Sequence, residues 1–421
     1  MSSQHLVDHL FRNRAGQLVA WLTRIFGPAH LDLAEEVVQE ALVKALQQWP
    51  YSGVPQNPGG WLFRVARNGA LDVLRRNASF AARAHEIAAE LQRTSGPQQP
   101  SDSAIEDDEL RMVFMCCHPS LPPDARVALS LKTVGGFSVA EIARAFLSTE
   151  STIAQRLVRA KRVLREHRVG LELPHGSDLG ARTESVLEVV YLLFNEGYNA
   201  HAGDDLVRQD LCGEALRLGR LIAQSPHIVS AGASGGGPAA HALIALMAFQ
   251  AARLPARVDA NGEMVLLEDQ DRSLWDRGLL AHGFAHFERC AEGRQLTAYH
   301  VQAAIAAVHA GAERAEATDW DRILSLYDDL LTLNPSPVIR LNRAVALSRV
   351  AGPAAALAVL GPLHDEPALA NYYLLPSVTG RIHAELGERA QATACYRQAL
   401  ELQCSEPERR FLQRRLAMLG S

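Results

Sequence analysis

The sequence predicts an all-α protein that contains several domains. Apolar residues recur three and four positions apart along nearly the whole chain, for example at Leu18, Leu22, Ile25 and Phe26, and alternating runs of strand type are at most a few residues long. With 421 residues the chain is too long for one ordinary hydrophobic core, and domains of about 150 residues suggest two to four units. Hydrophobic residues make up 48% of the chain and charged residues 21%, so most of it should fold.

The first helices should end at a connector. A second apolar stripe runs from Leu33 to Ala45, and the segment Trp49 to Gly60 that follows has three prolines and three glycines, which interrupt helices. The apolar spacing from Trp61 to Arg76 then predicts one amphipathic helix with arginines between its apolar positions. The segment Ala78 to Ser103 predicts a frayed helix that runs into a flexible linker, so we place a domain boundary near residue 100.

A helix-turn-helix pattern, Phe137 to Arg168, ends a helical block that covers residues 106–168. Ser138 can cap the first helix with Glu141 three residues later, which is a capping-box arrangement. A short break follows, and Thr149 is placed to cap the second helix. By pattern alone, an ordinary helical hairpin remains the alternative.

The second helix of this pattern has one apolar and one polar face. Ile153 and Leu157 should face the core, whereas polar residues near its start should project outward, where Gln and Arg can read base edges in a major groove. Basic residues farther along would contact phosphates. The outward set is Ser151, Thr152, Gln155, Arg156 and Arg159, and the phosphate set is Lys161, Arg162 and Arg165.

The charge distribution agrees with a nucleic-acid contact in the first part of the chain. The net charge of −5 argues against a protein that coats nucleic acid indiscriminately. Residues 1–170, however, have 20 Lys and Arg against 17 Asp and Glu, and the remainder has 22 against 30. Positive charges cluster from Arg64 to Arg83 and from Arg156 to Arg168, as phosphate-contacting elements should, although a solvated helix face is the alternative for either cluster.

Three segments together resemble the extracytoplasmic-function (ECF) sigma factors, which are bacterial transcription initiation factors. Asp32 to Pro50 (DLAEEVVQEALVKALQQWP) resembles their region 2.2, and Pro58 to Arg76 (PGGWLFRVARNGALDVLRR) resembles regions 2.3 to 2.4. Residues 137–165 resemble region 4.2 at Glu141-Ile142-Ala143, Thr152-Ile153, Arg156-Leu157, Arg159-Ala160-Lys161 and Leu164-Arg165. Because the motifs follow in the expected order, the chain is identified as a member of this family.

The resemblance implies a role for each block. The acidic face of region 2.2 would bind the coiled coil of the core RNA polymerase β′ subunit, with the β flap as a second polymerase contact, although a solvated helix face is the alternative. The next helix would hold promoter DNA near the −10 element, where a melted strand needs stacking surfaces and a basic groove. The implied polymerase-binding residues are Asp32, Glu35, Glu36, Gln39 and Glu40. The implied −10 residues are Trp61, Arg64, Arg67, Asn68, Arg75 and Arg76, of which Trp61 can equally be a core anchor. The implied −35 residues are Ser151, Thr152, Gln155, Arg156, Arg159, Lys161 and Arg162.

Two positions depart from the family pattern. Leu147 stands where the turn usually has glycine, and Ala154 stands at a position that is commonly basic. The geometry of the turn and the −35 sequence therefore need not follow the family.

A long extension follows the point near residue 170 where minimal members of the family end. Thr318 to Leu360 predicts two amphipathic helices, a break at Gly352 and another helix. His383 to Leu402 (HAELGERAQATACYRQALEL) resembles a tetratricopeptide repeat, and Gly387 lies near one repeat period of about 34 residues from Gly352. We therefore expect a short tetratricopeptide-like array that regulates the sigma domains and binds a protein or peptide.

The resemblance also divides the chain. The predicted parts are sigma region 2 at 1–78, a linker at 79–105, sigma region 4 at 106–170, a helical extension at 181–310 and the repeats at 318–418. The chain resembles the subgroup that has such an extension, including the segments Tyr191 to Cys212 and Leu266 to Arg277.

No pattern in the extension indicates an enzyme, a metal site or a cofactor. The six cysteines form no CxxC pair and should be reduced, buried thiols. His282 and His286 are four apart without the glutamate of an HExxH motif, so packing histidines are favoured over a metal site. The glycine-rich segment Ala231 to Ala240 lacks the lysine of a phosphate-binding loop and should join two helices. Asp269, Asp271 and Arg272 could form a ligand pocket or a structural ion pair and are left unassigned.

The N-terminus lacks a secretory signal, and the apolar stretch Ala239 to Ala252 is interrupted and short for a membrane span, so we expect a cytoplasmic protein with a buried helix there.

Two other functions compete with the sigma factor. A helix-turn-helix regulator with a ligand-sensing extension has no need of residues 32–76, whereas a sigma factor needs them. A helical scaffold or hydrolase would place its site in residues 180–310, where no catalytic motif is found.

Overall fold

The computed structural model describes residues 3–76, 102–146, 148–176, 178–198, 209–232, 236–259, 263–293 and 295–420. Within these ranges the regular structure is helical, as predicted, and the strand-like pairing is one isolated antiparallel bridge between Val258 and Met264. The chain forms two compact units. The first comprises Met1–Leu192 with Gln224–Gly235, and the second comprises Leu193–Ala223 with Gly236–Ser421.

The first unit contains the helices of both sigma-like blocks. Its helices are α1 (Ser3–Phe26), α2 (Leu31–Ser52), α3 (Pro58–Arg76), α4 (Asp102–Cys116), α5 (Pro123–Thr133), α6 (Val139–Ala145) and α7 (Glu150–Glu166). Helix α8 (Asp178–Tyr198) begins in this unit, and α10 (Pro226–Ser230) belongs to it, whereas α9 (Gln209–Gln224) lies almost wholly in the second unit.

The predicted stripe on α1 faces the core of the first unit. Leu18, Leu22, Ile25 and Phe26 are buried, and Trp21 packs beside them with its ring centroid 5.4 Å from that of Phe63 on α3. The arrangement follows from the spacing of the apolar residues, which places them on one side of the helix.

The connector after α2 is shorter than the sequence predicted. We expected Trp49 to Gly60 to be irregular, but α2 continues through Pro50 to Ser52, and α3 begins at Pro58. A proline in the last turn of a helix removes one hydrogen bond and leaves the preceding turns intact. Trp49 is buried and holds this last turn against Trp61, with 5.5 Å between their ring centroids.

The helix-turn-helix is present with the predicted caps. Ser138 accepts a hydrogen bond from the Glu141 amide, and the Glu141 carboxylate accepts one from the Ser138 amide at 2.8 Å. Thr149 accepts from the Thr152 amide at 3.2 Å at the start of α7. These two caps fix where α6 and α7 begin, and so fix which residues stand at the start of the second helix of the pattern. The predicted departure at Leu147 lies outside the described residues.

The second unit is built from further helices. They are α11 (Gly237–Ala252), α12 (Arg277–Cys290), α13 (Ala298–Gly311), α14 (Trp320–Leu333), α15 (Pro337–Ala351), α16 (Pro353–Leu360), α17 (Leu374–Glu385), α18 (Arg389–Glu401) and α19 (Glu406–Gly420). The predicted buried helix is α11. The stretch Gly237–Ala256 is apolar and long enough to cross a membrane, but 83% of its most apolar window is buried within the protein.

The C-terminal helices pack as antiparallel neighbours joined by tight turns. Gly352 lies between α15 and α16 with φ of +89°, and Gly387 lies between α17 and α18 with φ of +77°. A side chain would be strained at either φ, which explains glycine at both turns. Gly380 lets α17 and α18 approach closely, because a Cβ there would lie 3.0 Å from the Cβ atom of Cys395. The tetratricopeptide-like character of these helices stays a prediction.

Candidate promoter and polymerase interfaces

The start of α7 presents a polar stripe above a buried one. Ile153 and Leu157 are buried, as predicted. Four of the predicted −35 residues near the helix start are exposed, namely Ser151, Thr152, Gln155 and Arg159, and Arg162 is exposed one turn later. At about 100° per residue, Ser151, Gln155, Arg159 and Arg162 fall within roughly 80° of one another around the helix. They can therefore face one groove together.

Arg156 does not project outward as the sequence predicted. Its guanidinium lies 3.1 Å from the Asp124 carboxylate and 5.6 Å from the centre of the Phe146 ring, and its side chain is 25% exposed. Its position in the helix explains this placement, because it lies about 100° from the middle of the exposed stripe. Arg156 thus holds α7 against the start of α5 in this conformation.

Lys161 lies beside the exposed stripe, on the side away from Arg156, and contacts α2. Its ammonium donates to the Asp32 carboxylate at 2.7 Å and to the Glu35 carboxylate at 2.6 Å, with only 12% of the side chain exposed. Burial by itself would lower the pKa of Lys161, but the two carboxylates outweigh it and raise the pKa above its usual value. Lys161 is therefore charged, and two predicted polymerase contacts meet one predicted DNA contact.

The remaining predicted −35 cations are more accessible. Arg162 makes an exposed contact with Glu166 at 3.6 Å, and Arg165 reaches Asp32 at 3.4 Å with 45% of its side chain exposed. Exposed pairs of this kind contribute little to stability, so both arginines can turn toward another anion.

The other polymerase-binding candidates on α2 lie on an open surface. Glu36, Gln39 and Glu40 are exposed, whereas Glu35 is half-buried under Lys161. All five candidates share one side of α2, but α7 occupies the edge formed by Asp32 and Glu35.

The predicted −10 residues lie along α3. Trp61, Arg64, Asn68 and Arg75 fall within about 60° around the helix, and all but Trp61 are exposed. Trp61 is half-buried and its ring packs at a steep angle against that of Trp49, which leaves part of the side chain exposed. Arg67 is half-buried and donates to the Asn68 side chain at 3.4 Å. Arg76 ends α3, and its side chain lies outside the described residues.

Sequence reasoning missed the contacts that join the two blocks. Arg24 on α1 donates to Asp108 on α4 at 2.9 Å. Gly16 on α1 is buried so closely against α5 that a Cβ there would lie 1.9 Å from the carbonyl oxygen of Val134. An isolated glycine within a helical pattern can signal such a close approach, and Gly16 was the available clue.

In the extension, His241, His282 and His286 meet between α11 and α12. The Nδ1 atoms of His241 and His286 are 2.7 Å apart, and the rings of His282 and His286 are 4.5 Å apart. Over the ranges that the structure describes, no group of three or more His, Cys, Asp or Glu is arranged to hold a metal ion. Arg272 donates to the carbonyl oxygen of His309 at 2.8 Å, and Asp271 accepts from the Ser273 amide at 2.9 Å.

Comparisons with known proteins agree with the two sigma blocks. Residues 10–80 match Sigma-70 region 2, residues 111–164 match Sigma-70 region 4, and residues 182–291 match a family of unknown function (DUF6596). An uncharacterized protein of Rhizobium meliloti (R00370) is 40% identical over 100% of this chain and 97% of its own length. No solved structure matches this chain.

Named relatives identify the family. The ECF RNA polymerase sigma factor SigL of Mycobacterium tuberculosis is 30% identical over 38% of this chain and 87% of its own length. The probable ECF RNA polymerase sigma factor SigI of the same organism is 29% identical over 40% of this chain, which spans 58% of that protein. The ECF RNA polymerase sigma-E factor of Escherichia coli is 30% identical over 31% of this chain and 70% of its own length. This chain therefore belongs to the ECF RNA polymerase sigma factors, promoter-recognising transcription factors, and it continues into a helical region beyond the two sigma blocks.

Proposed function

We propose that this sigma factor reads the −35 element with the start of α7, holds the −10 element with α3 and binds core RNA polymerase with the acidic side of α2. The observation that carries the proposal is the capped recognition helix. The Thr149 cap places Ser151, Thr152, Gln155 and Arg159 in solvent at the end of the helix that enters a major groove.

Each exposed group at the start of α7 has a chemistry suited to DNA. Gln155 can make paired hydrogen bonds to adenine and Arg159 to guanine, which discriminates among base pairs. Arg162 and Arg165 carry no base information but can hold phosphates. Lys161 can join them only after it leaves Asp32 and Glu35.

The surface of α3 suits a separated DNA strand. Arg64 and Arg75 supply positive charge, Asn68 supplies an amide between them, and the half-buried Trp61 supplies an aromatic ring on which a base can stack. A regulator that binds only duplex DNA would not need this combination.

The acidic side of α2 is the proposed site for the β′ coiled coil, and region 4 would meet the β flap. Asp32, Glu35, Glu36 and Glu40 can meet a basic partner, and complementary charge accelerates encounter and sets the register of binding. Charge reversal at Glu36 and Glu40, which are already exposed, should weaken capture of a purified β′ coiled-coil fragment and leave the fold intact.

We also propose that the extension regulates the sigma domains. Two residues beyond position 181 pack in the first unit: Arg182 donates to the Phe114 carbonyl at 2.8 Å, and His227 lies 3.0 Å from Asp107. Removal of residues 181–421 should therefore change promoter-dependent transcription. Full-length Arg182→Ala and His227→Ala variants are the matched controls, because they lose these contacts and keep the extension. A truncated chain that is folded and transcribes like the full chain would contradict the regulatory role.

Permanganate footprinting tests the sigma assignment against a regulator that binds only duplex DNA. With core polymerase and this chain together, unpaired thymines should become reactive near the −10 element, and Trp61→Ala should reduce that reactivity while Trp61→Phe retains it. Protection of DNA without any reactive thymines would favour the ligand-sensing regulator.

A further inference from the structure

A short segment of the second unit, which we call the groove segment (Glu263–Asp269), lies against several C-terminal helices. Two hydrogen bonds hold its beginning in a hairpin: the Val265 amide donates to the Arg257 carbonyl at 2.9 Å, and the Asp259 amide donates to the Glu263 carbonyl at 2.9 Å. The backbone is extended at Leu266, with φ of −64° and ψ of 152°, and a single 3-10 turn over Leu267–Asp269 follows. The first half of the segment therefore meets the helices in the way a bound extended peptide would, and the second half ends in a turn.

The apolar side chains of the groove segment enter a hydrophobic cluster. Met264 and Leu266 pack against buried residues of α18 and α19. Two residues apart in an extended chain, both side chains point to the same side. The cluster consists of Tyr396, Ala399, Phe411 and Leu412.

Acidic residues at both ends of the groove segment meet arginines. Glu263 pairs with Arg414 on α19. Glu268 pairs with Arg349 on α15 and lies 3.5 Å from Arg381 on α17. The segment thus has an acidic residue at each end and two apolar residues between them, in the order acidic, apolar, any, apolar, any, acidic. The helices contact the two acidic side chains with arginines and the two apolar side chains with the hydrophobic cluster.

The groove segment does not fill the space between the helices. A cavity of about 240 Å³ borders the segment, with Leu267, Trp320 and Tyr327 in its wall, and a second cavity of about 140 Å³ borders Met264. Leu266 and Arg381 line both cavities. These cavities would accept larger apolar side chains than those of the segment.

We propose that these helices form a peptide-binding groove that its own segment occupies, and that the partner is a peptide with the same acidic and apolar pattern, extended at its start and turned at its end. The ion pairs at both ends of the segment are partly exposed, so a second peptide with acidic residues at the same spacing can compete for the arginines. This inference extends the proposed peptide partner of the extension, and its binding test requires no transcription.

The probe is a fluorescent peptide with the sequence of residues 263–269, EMVLLED. The unaltered full chain should bind it weakly, because its own segment occupies the groove. Glu268→Arg should release that segment and raise the affinity at least ten-fold. Asp269→Arg is the matched control, since the same charge change at the exposed neighbouring position should leave the affinity unchanged.

Two further measurements keep the proposal testable if the Glu268→Arg variant does not fold. Leu266→Ala should raise the affinity in the same direction as Glu268→Arg. In the unaltered chain, an excess of the peptide should increase amide hydrogen exchange in the groove segment. Equal weak binding by the folded variants and the unaltered chain, or unchanged exchange at saturating peptide, would overturn the proposal.

Discussion

The Nζ atom of Lys161 lies 2.6 Å from the Oε2 atom of Glu35, although 126 sequence positions separate the two residues. Their side chains are 12% and 16% exposed. Loss of one partner should therefore leave a partly buried charge without its counter-ion. We expect Lys161→Ala to lower the free energy of unfolding of the first unit by about 1–3 kcal/mol.

A double-mutant cycle measured by urea unfolding checks this expectation. Lys161→Ala and Glu35→Gln should be coupled by about 1 kcal/mol or more. Arg162→Ala is the control, since its pair with Glu166 is exposed on both sides and its loss should cost less than about 0.5 kcal/mol. Additive effects of Lys161→Ala and Glu35→Gln would contradict the energetic importance of this pair.

The helix caps should matter for both stability and DNA binding. Thr149→Ala removes the acceptor for the Thr152 amide and should cost about 1 kcal/mol of unfolding free energy, with weaker −35 recognition because α7 frays at its start. Thr149→Ser should restore both properties, because serine is an equivalent cap. Thermal unfolding and promoter binding by the holoenzyme measure them. Full activity of the alanine variant would show that the start of α7 is fixed in another way.

Residues that read bases and residues that bind phosphates should differ in how their loss affects sequence preference and the salt dependence of DNA binding. Gln155→Ala should cost about 1–3 kcal/mol at one −35 base pair and little at other positions. Arg162→Ala should weaken binding to all sequences and reduce the dependence on log salt concentration by about 1. Holoenzyme binding to a set of −35 variants at several salt concentrations distinguishes them. If Gln155→Ala weakened binding equally to all −35 variants, Gln155 would contact the DNA backbone and not a base.

The second unit should lose stability as the pH falls. Burial lowers the pKa of His241 to about 4 and that of His286 to about 4, whereas the unfolded value is 6.5. The unfolded chain therefore takes up protons first, so stability is full above pH 6.5 and falls as the pH drops toward 4. Urea unfolding at pH 7.5, 6 and 5 measures the slope.

Replacement of one buried histidine tests the origin of that slope. His286→Gln should flatten the pH profile of the second unit, and His167→Gln, at an exposed position after α7, should leave it unchanged. An unchanged slope in His286→Gln would assign the pH dependence to other groups.

Local sequence signals predicted the helices, the buried α11 and the caps at Ser138 and Thr149, because periodicity and capping depend on residues a few positions apart. The exposed stripe on α7 followed from the same periodicity. The contacts of Lys161 with Asp32 and of Arg156 with Asp124 join distant parts of the chain. No local pattern encodes such pairs. The helical spacing therefore predicted that Lys161 and Arg156 would be exposed to solvent, whereas in the fold each of them contacts a carboxylate.

The end of α2 shows a second limit of local rules. Pro50 predicted an interruption, but the buried Trp49 packs against Trp61 and stabilises the last turn. Tertiary packing outweighed the local preference of one proline.

Run-off transcription with core RNA polymerase, on DNA upstream of this protein's own gene and its neighbours, tests the sigma factor function most directly. Reactions with and without the purified chain should differ by a defined start site that appears only when the chain is present. Binding of the chain to the same DNA without polymerase, together with no dependent start site, would contradict the sigma factor function.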